Sequence, residues 1–316
     1  MSYQFYIEPR DGVKPIIKMI KKSRKFLYIN SYLLDDQNVL SAVTDAAKRK
    51  LDVRIIVDGR PYGINGDDGT HDEIDVLKKT GAKVKIAPMR FERPNVFDHA
   101  KYIVSGNYAE LGTPNFTEAA FTKNREYFTI TTDNHVIKSL RTIFLADFEN
   151  KKAGSAPRKF LIVSPEAKAQ LVDFMSKEKK LLIETEEMGD EPAIIKLLSE
   201  KGRHVKLIVP TSISSTDAAS IEKLKKAGVR VRYMPATLLY MHAKMIAGKK
   251  VFIGSENFTK SSLIDNRETG ILISGFFKVP QFKDSFKHDW RIASKNLKIK
   301  RSGIMHLHSK PEKQAK

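Results

Sequence analysis

The sequence of 316 residues contains no cysteine. This absence excludes disulfide bonds, thiolate zinc sites and a cysteine nucleophile. The chain also lacks any run close to the roughly 18 consecutive apolar residues that a membrane-spanning helix needs. Its first residues lack the basic start and the apolar segment of a secretory signal. We therefore expect a cytoplasmic protein that is not integral to a membrane.

Acidic residues are fewer than basic ones. The sequence has 37 Asp and Glu residues and 56 Lys and Arg residues, which gives a net charge of +19. A surplus of this size favours a polyanionic partner such as nucleic acid or an anionic membrane surface. A merely basic soluble enzyme is the plainer alternative. With 41% hydrophobic and 29% charged residues, the composition is otherwise that of a globular protein with one large or two medium domains.

The chain is a repeat of itself. The run Val-Arg-Ile-Ile-Val at 53–57 returns as Val-Lys-Leu-Ile-Val at 205–209, and both runs predict buried strands. The segments 77–84 and 224–231 match as a helix that ends at a glycine and leads into a strand. Alternating strands and helices predict an α/β fold of two homologous domains, each a mixed β-sheet covered by helices. We predict domains at 1–152 and 158–294.

Two further segments are interpreted from composition. Residues 295–316 are rich in Lys and Ser and have no apolar period, so we expect a flexible basic tail. Residues 58–70 show no helical or strand periodicity and are dense in turn formers, which predicts a long loop that either faces the substrate or is merely solvated. Within that loop, Asp67 and Asp68 with His71 are more typical of a solvated segment than of a metal site.

The best-matched segments of the two copies are polar. His-Ala-Lys occurs twice, a Gly-Thr/Ser-x-Asn motif follows each time, and a shared Asn-Arg-Glu comes after it. The residues are His99, Lys101, Thr113, Asn115 and Glu126 in the first copy and His242, Lys244, Ser255, Asn257 and Glu268 in the second. In a strand, residues i and i+2 face the same side, so each His and Lys should point together. One such pair is usually a solvated strand, but two at equivalent positions favour a functional site.

These motifs resemble those of the phospholipase D superfamily of phosphodiesterases in its two-copy, single-chain form, over about residues 1 to 295. The superfamily pattern also has an aspartate five residues after the lysine, where this chain has Gly106 and Lys249. In this respect the chain is similar to the tyrosyl-DNA phosphodiesterase branch. The resemblance implies two domains packed about a pseudo-twofold axis with one shared site, so that a monomer suffices. It also implies structural roles for Asp147 and Asp289 near the end of each copy.

The chemistry of the repeated residues agrees with this resemblance. One neutral imidazole can attack phosphorus while a second, protonated imidazole gives its proton to the leaving oxygen, through a phosphohistidine intermediate. Lysine and asparagine side chains, with Thr113 and Ser255, can hold the phosphate oxygens without a metal or another cofactor. By resemblance, His99 is the nucleophile and His242 the acid. Also by resemblance, Glu126 and Glu268 orient the histidines through their far ring nitrogens.

The motifs indicate the bond but not the molecule. Because the body of the chain is basic even without its tail, we expect a metal-independent nuclease, that is, a phosphoric diester hydrolase acting on DNA or RNA. A phospholipase D or a phosphatidyl transferase acting on anionic phospholipid is the alternative. A third hypothesis is a non-catalytic nucleic-acid-binding protein with a phosphate clamp, but the complete polar set in both copies argues against it.

Overall fold

The fold is described by a computed structural model that covers residues 3–61, 66–275, 278–295 and 300–301, without the side chains of 66–72 and 300–301. In the first half, strands and helices follow one another up to a long helix. Its elements are β1 (Tyr3–Glu8), α1 (Lys14–Lys22), β2 (Phe26–Ser31), α2 (Gln37–Lys48), β3 (Asp52–Val57), α3 (Gly66–Lys79), β4 (Lys83–Ile86), β5 (Tyr102–Ser105), β6 (Ala109–Gly112), α4 (Glu118–Thr122), β7 (Asn124–Thr131) and α5 (Asn134–Phe148).

The second half repeats this succession. Its elements are β8 (Ile162–Ser164), α6 (Ala167–Lys177), β9 (Leu181–Thr185), α7 (Pro192–Lys201), β10 (Val205–Pro210), β11 (Ser212–Ile213), α8 (Ser215–Lys226), β12 (Arg230–Met234), β13 (Tyr240–Met241), β14 (Lys244–Ala247), β15 (Val251–Gly254), α9 (Lys260–Ile264), β16 (Glu268–Ile273), α10 (Val279–Ile292) and β17 (Lys300–Arg301). Short 3-10 helices occur at Met89–Phe91, Ala156–Lys159 and Gly202–His204.

Each half contains a mixed sheet, and the two sheets have the same strand order. The orders are β1-β7-β6-β5-β2-β3-β4 and β8-β16-β15-β14-β9-β10-β12. In each sheet three strands run parallel, β2, β3 and β4 in the first and β9, β10 and β12 in the second. The remaining neighbours in these two orders are antiparallel. The predicted fold of two homologous α/β domains with mixed sheets is therefore confirmed.

Two predicted elements can be checked closely. The apolar runs at 53–57 and 205–209 are buried strands, as predicted. The helices α3 and α8 end just before Gly81 and Gly228, whose φ values of +86° and +90° lie in the left-handed region that favours glycine. The alternation of apolar residues and the glycine stop signals were thus sufficient to find these elements.

The predicted loop at 58–70 is wrong in its second part, because α3 already begins at Gly66. Two glycines and two aspartates in the first turn give no apolar periodicity. Among the residues of this helix whose side chains are described, Ile74 and Leu77 are buried. Acidic residues at a helix start are nevertheless favourable because they face the positive end of the helix dipole. The metal alternative that involves Asp67, Asp68 and His71 concerns side chains outside the described part of the chain.

The core is arranged in three layers of apolar side chains. One cluster packs α1, α2 and α3 on the outer face of the first sheet, and a second packs α6, α7 and α8 on the outer face of the second sheet. The third lies between the sheets and joins residues of both halves, including Phe144 of α5, Phe286 of α10, Tyr127 and Met245. Because this central core is shared, the two halves hold each other in place.

Of the predicted basic tail, the structure describes Lys295 and the two residues of β17. Their backbone pairs in parallel with β11, Lys300 with Ser212 and Arg301 with Ile213. The rest of the tail lies outside the described residues, and its flexibility stays a prediction. Among the described helices, none is both long and apolar enough to cross a membrane.

Candidate active site

The loops that lead into the two histidines each cross to the opposite half. His99 donates its backbone N–H to the carbonyl of Arg267, at 2.9 Å. In the second half, β13 pairs in parallel with β7 of the first, Tyr240 with Asn124 and Met241 with Arg125. The sequence predicted both histidines inside strands, and this is wrong: β5 begins only at Tyr102 and β14 at Lys244, so both histidines precede their strands. Backbone pairing across the two halves therefore holds both histidines in place.

The histidine and glutamate side chains pair across the same boundary. His99 Nδ1 lies 3.0 Å from Glu268 Oε2, and His242 Nδ1 lies 2.7 Å from Glu126 Oε1. Both glutamates are completely buried. The contact of His99 has hydrogen-bond geometry, whereas His242 Nδ1 lies close to Glu126 without it. A carboxylate hydrogen-bonded to Nδ1 fixes the ring orientation and leaves Nε2 for a substrate, as in hydrolase triads. The structure thus brings together the predicted histidines and glutamates, in a crossed arrangement that makes one site from two halves.

Two hydroxyl groups expected at the phosphate lie behind the glutamates. Thr113 donates to Glu126 Oε2 at 2.5 Å, and the Ser255 hydroxyl accepts the backbone N–H of Thr269 at 3.0 Å. Both residues are fully buried. Their role as phosphate donors stays a prediction, and in the structure Thr113 instead supports a carboxylate.

The two lysines point into the site from the motif segments. Lys101 Nζ donates to the carbonyl of His99 at 2.8 Å, and Lys244 Nζ donates to that of His242 at 2.7 Å. Both side chains are completely buried. Burial lowers the pKa of Lys101 to about 7, with Glu268 opposing this effect and Lys244 reinforcing it. Two buried cations close together provide a strong attraction for an anionic ligand.

Asn115 and Asn257 lie nearly buried in the same region, at 6% and 7% exposure. Asn257 Nδ2 donates to Glu187 Oε2 at 3.2 Å. Among the described residues, neither Oδ1 atom has a hydrogen-bond partner. Buried polar atoms are normally satisfied, and those that are not are found at functional sites. An amide Oδ1 only accepts hydrogen bonds, so these two atoms suit a donor group of a ligand and not a phosphate oxygen. The predicted contact of the amide nitrogens with phosphate stays a prediction.

Burial affects the protonation of the two partners in the His99 pair. It lowers the pKa of His99 to about 4, against the attraction of Glu268. For Glu268, burial alone would raise the pKa, but His99 and Lys101 hold it below its ordinary value. At neutral pH the pair is therefore a neutral imidazole beside a carboxylate, and a neutral imidazole is the form that can act as a nucleophile.

Sequence reasoning missed Glu186, which lies directly after β9. Its Oε2 is 2.7 Å from Lys244 Nζ and 3.4 Å from His242 Nε2, and its Oε1 accepts a hydrogen bond of 2.9 Å from the Tyr240 hydroxyl. The signal in the sequence was a pair of glutamates, Glu186 and Glu187, at the end of a buried strand. It was not recognised because the first copy has Tyr32 and Leu33 at the corresponding place.

The arginine of each Asn-Arg-Glu motif forms a buried ion pair with the other half. Arg267 Nε lies 2.8 Å from Asp147 Oδ2, and Arg125 Nε lies 2.6 Å from Asp289 Oδ2. Asp147 and Asp289 are buried, so their contacts are structural. Each arginine directly precedes one of the site glutamates, and the ion pairs therefore tie the position of Glu126 and Glu268 to the helices α5 and α10.

In the second half, the turn that lacks the superfamily's aspartate is held by a carboxylate from another segment. There Glu178 accepts the backbone N–H groups of Lys249 and Lys250, at 2.7 and 3.3 Å. A carboxylate from the end of α6 thus binds the turn at the position where the pattern has its aspartate. At Gly106 in the first half, an added Cβ would lie 3.0 Å from the carbonyl oxygen of Arg24, so a larger residue would crowd this turn.

A search for groups of three or more His, Cys, Asp or Glu that could hold a metal ion finds none in the described part of the chain. The titratable groups of the site include two histidines, two lysines and the carboxylates that pair with them. The arrangement can bind a phosphate through cations and amides, and it places two imidazoles where one can act as nucleophile and the other as acid.

Comparison with known proteins agrees with this geometry. A family described as "Cardiolipin synthase, PLD-like domain" matches residues 16–148 and again 172–290. Cardiolipin synthases of Listeria monocytogenes and Staphylococcus aureus are 32% identical over 133 residues and 30% identical over 162 residues. These matches cover 42% and 49% of this chain but only 26% and 32% of the relatives. The chain belongs to the phospholipase D-like family, and it matches about a quarter to a third of the length of these relatives.

A solved structure is similar over most of the chain. The phosphatidylserine synthase of Haemophilus influenzae superimposes with a TM-score of 0.70 at 14% identity, covering 92% of this chain and 86% of that one. At this identity the likeness concerns the fold alone. It is consistent with the arrangement of two sheets found here.

Proposed function

We propose that this chain cleaves or transfers phosphodiesters without a metal, through a phosphohistidine on His99. The crossed contacts of His99 with Glu268 and of His242 with Glu126 support this proposal most strongly, because they orient two imidazoles toward one site. Membership of the phospholipase D-like family supports the same class of chemistry.

In the proposed first step, His99 Nε2 attacks phosphorus and the bond from phosphorus to the leaving oxygen breaks. His242 Nε2 gives its proton to that oxygen, which departs as an alcohol. Lys101, Lys244 and the amides of Asn115 and Asn257 hold the non-bridging oxygens as their charge develops. In the second step, His242 takes a proton from water or an acceptor alcohol, whose oxygen attacks phosphorus. The bond from phosphorus to nitrogen then breaks and His99 is restored.

We propose phospholipid as the substrate class, in place of the nucleic acid expected from charge. The family description and the two relatives above, both cardiolipin synthases, favour phosphatidyl transfer. The loops that lead into the two histidines also carry exposed apolar side chains, Met89 at 67% and Leu238 at 63% exposure. Exposed apolar residues suit contact with a bilayer, and Arg90, next to Met89, adds a basic group there.

A nuclease remains the second candidate because a net charge of +19 also suits nucleic acid. The test is a panel in EDTA of phosphatidylglycerol vesicles, single-stranded DNA, duplex DNA and RNA. We expect phosphatidylglycerol turnover with covalent phosphorus on His99. His99→Ala and His242→Ala should each lower the rate at least about a thousandfold.

The matched control is His204→Ala, which removes an exposed histidine outside the site and should change nothing. Turnover that is abolished by EDTA, or that survives both site substitutions, would contradict the mechanism. Cleavage of nucleic acid without lipid turnover would replace the lipid by the nuclease proposal.

A further inference from the structure

The two halves of the site differ at one corresponding position, which Tyr32 occupies in the first half and Glu186 in the second. Asn30 of β2 pairs with Tyr102, three residues after His99, and Glu184 of β9 pairs with Met245, three residues after His242. Tyr32 and Glu186 both lie two residues further along.

Two matched pairs of hydrogen bonds confirm this correspondence. The hydroxyls of Ser31 and Thr185 bind the carbonyls of Leu33 and Glu187, respectively, at 2.6 and 2.9 Å. The same two carbonyls accept the backbone N–H groups of Phe116 and Phe258. The backbones therefore follow the same course past each histidine and differ in the side chain that they present.

The two side chains act differently on their neighbours. The ring of Tyr32 lies edge-on to that of His99, at 4.8 Å between centroids, and 5.1 Å from Lys101 Nζ. It brings no negative charge to His99. Glu186 instead places a carboxylate 3.4 Å from His242 Nε2 and 2.7 Å from Lys244 Nζ.

The charged groups around each histidine can be compared directly. His242 has Glu126 at Nδ1 and Glu186 at Nε2, with Lys244 and the hydroxyl of Tyr240 both bound to Glu186. Glu187 interacts electrostatically with Glu186 and Lys244. Lys101 of the other half interacts electrostatically with Glu126 and Glu186. Among the described residues, His99 contacts the carboxylate of Glu268, and Lys101 and Lys244 oppose a charge on its ring.

On the basis of the proposed function, we infer that Glu186 is the positioning residue that assigns the two chemical roles. Its carboxylate keeps the proton on His242, which makes that histidine the acid, whereas the aromatic Tyr32 leaves His99 neutral as the nucleophile. An opposite charge within about 4 to 6 Å favours the charged form of an imidazole by one to three pKa units. The pseudo-symmetric pair is thereby given a fixed direction of reaction.

The same position gives Glu186 a second effect on binding. In the free protein its carboxylate bridges Lys244 and His242, two groups that a phosphodiester must reach. An incoming phosphate must share Lys244 with this carboxylate, and like charges repel. Glu186 therefore weakens the binding of substrate and favours the protonated acid. Its removal should lower kcat without raising KM.

The test is the pH profile of Glu186→Gln on whichever substrate of the panel the unaltered protein turns over fastest. Because the acid of the reaction must be protonated, activity is lost at high pH, and removal of a carboxylate beside the acid moves that alkaline limb to lower pH. We expect the alkaline limb to shift by about one pH unit. At pH values above the limb, kcat should fall roughly tenfold, and KM should be unchanged or lower. Glu186→Asp keeps a carboxylate and should move the alkaline limb only part of this distance.

The reciprocal variant is Tyr32→Glu, which gives the first half the carboxylate of the second. His99 must be neutral to attack, so a carboxylate beside it raises its pKa and moves the acid limb to higher pH, by a similar amount. Glu222→Gln removes an exposed carboxylate of α8 and serves as the matched control with an unchanged profile.

The outcomes separate the two proposals. If the unaltered protein turns over no substrate of the panel and forms no phosphohistidine, the proposed function fails and the inference with it. If it is active through phosphorus on His99 but Glu186→Gln leaves the alkaline limb in place, or lowers kcat equally at all pH values, the role of Glu186 alone is refuted. Thermal unfolding of each variant checks that its fold is intact.

Discussion

Single residues of this site serve function at the expense of stability, and Lys101 shows it most directly. Its ammonium is completely buried, and burial lowers its pKa to about 7 from the ordinary value near 10.5. A group whose pKa is lower in the folded than in the unfolded state binds more protons when the protein is unfolded. The stability of the protein therefore rises with pH between about 7 and 10.5, and the buried lysine destabilises the fold fully below that range.

Replacing this lysine should therefore stabilise the protein while abolishing activity. We expect Lys101→Met to raise the free energy of unfolding by about 1 to 2 kcal/mol at pH 6.5, because no buried cation then needs to be desolvated. The gain should shrink toward pH 10, where the unaltered lysine is neutral in the fold. Chemical denaturation at the two pH values measures this. Lys168→Met, on a partly exposed lysine of α6, is the control, and a loss of stability at pH 6.5 would contradict the argument.

Some residues of the site could be identified from the sequence and others could not. His99, Lys101, Asn115 and Glu126 were found with their counterparts because polar residues repeated at equal positions have no use in a core. Their crossed pairing was not found, because a contact between Glu268 and His99 depends on how two sheets pack. Glu186 was missed for the opposite reason: it has no repeated partner, so a method that looks for repetition passes over it.

At the scale of elements, the halves are joined through backbone and ion pairs rather than through apolar contact alone. The strand β13 belongs to the second half by sequence but adds to β7 of the first. The arginines that follow Asn124 and Asn266 bind aspartates of α10 and α5 across the boundary. The two-copy α/β architecture followed from the strand and helix pattern, but the strand order was not predicted. A two-residue strand such as β13 leaves no periodic signal in the sequence.

Breaking one of these ion pairs should loosen the site as well as the fold. Asp147→Asn leaves the guanidinium of Arg267 buried without its counter-charge, and the loss of one partner of a buried pair costs about 3 to 5 kcal/mol. Because Arg267 directly precedes Glu268, we also expect kcat to fall more than KM changes. Thermal unfolding and steady-state kinetics give the two readings.

The matched control for this pair is Asp284→Asn, which removes the same charge from an exposed position on α10. It should change stability by less than about 0.5 kcal/mol. Equal effects of the two substitutions would show that the pair between Asp147 and Arg267 does not join the halves energetically.

At the scale of the whole molecule, charge and exposed apolar surface together bear on the substrate. The net charge of +19 suits any polyanion, so it could not separate nucleic acid from lipid when only the sequence was considered. The exposure of Met89 and Leu238 was not predictable from the sequence, since Leu238 lies in an apolar run that continues into a strand. The residues that follow it, Leu239 and Met241, are buried in the structure, but Leu238 is 63% exposed.

If the two loops touch a bilayer, polar substitution there should weaken docking without harming the chemistry. Burying one such side chain contributes about 1.5 to 3 kcal/mol, so Met89→Ser with Leu238→Ser should lower the affinity for phosphatidylglycerol vesicles at least about tenfold. Turnover of a short-chain, monomeric phosphatidylglycerol should stay as it was, because that substrate reaches the site from solution. Val76→Ser removes an exposed apolar side chain of α3, away from these loops, and should alter neither measurement. Unchanged vesicle binding in the double variant would mean that these loops do not meet the membrane, and equal losses on both substrates would mean that they shape the site instead.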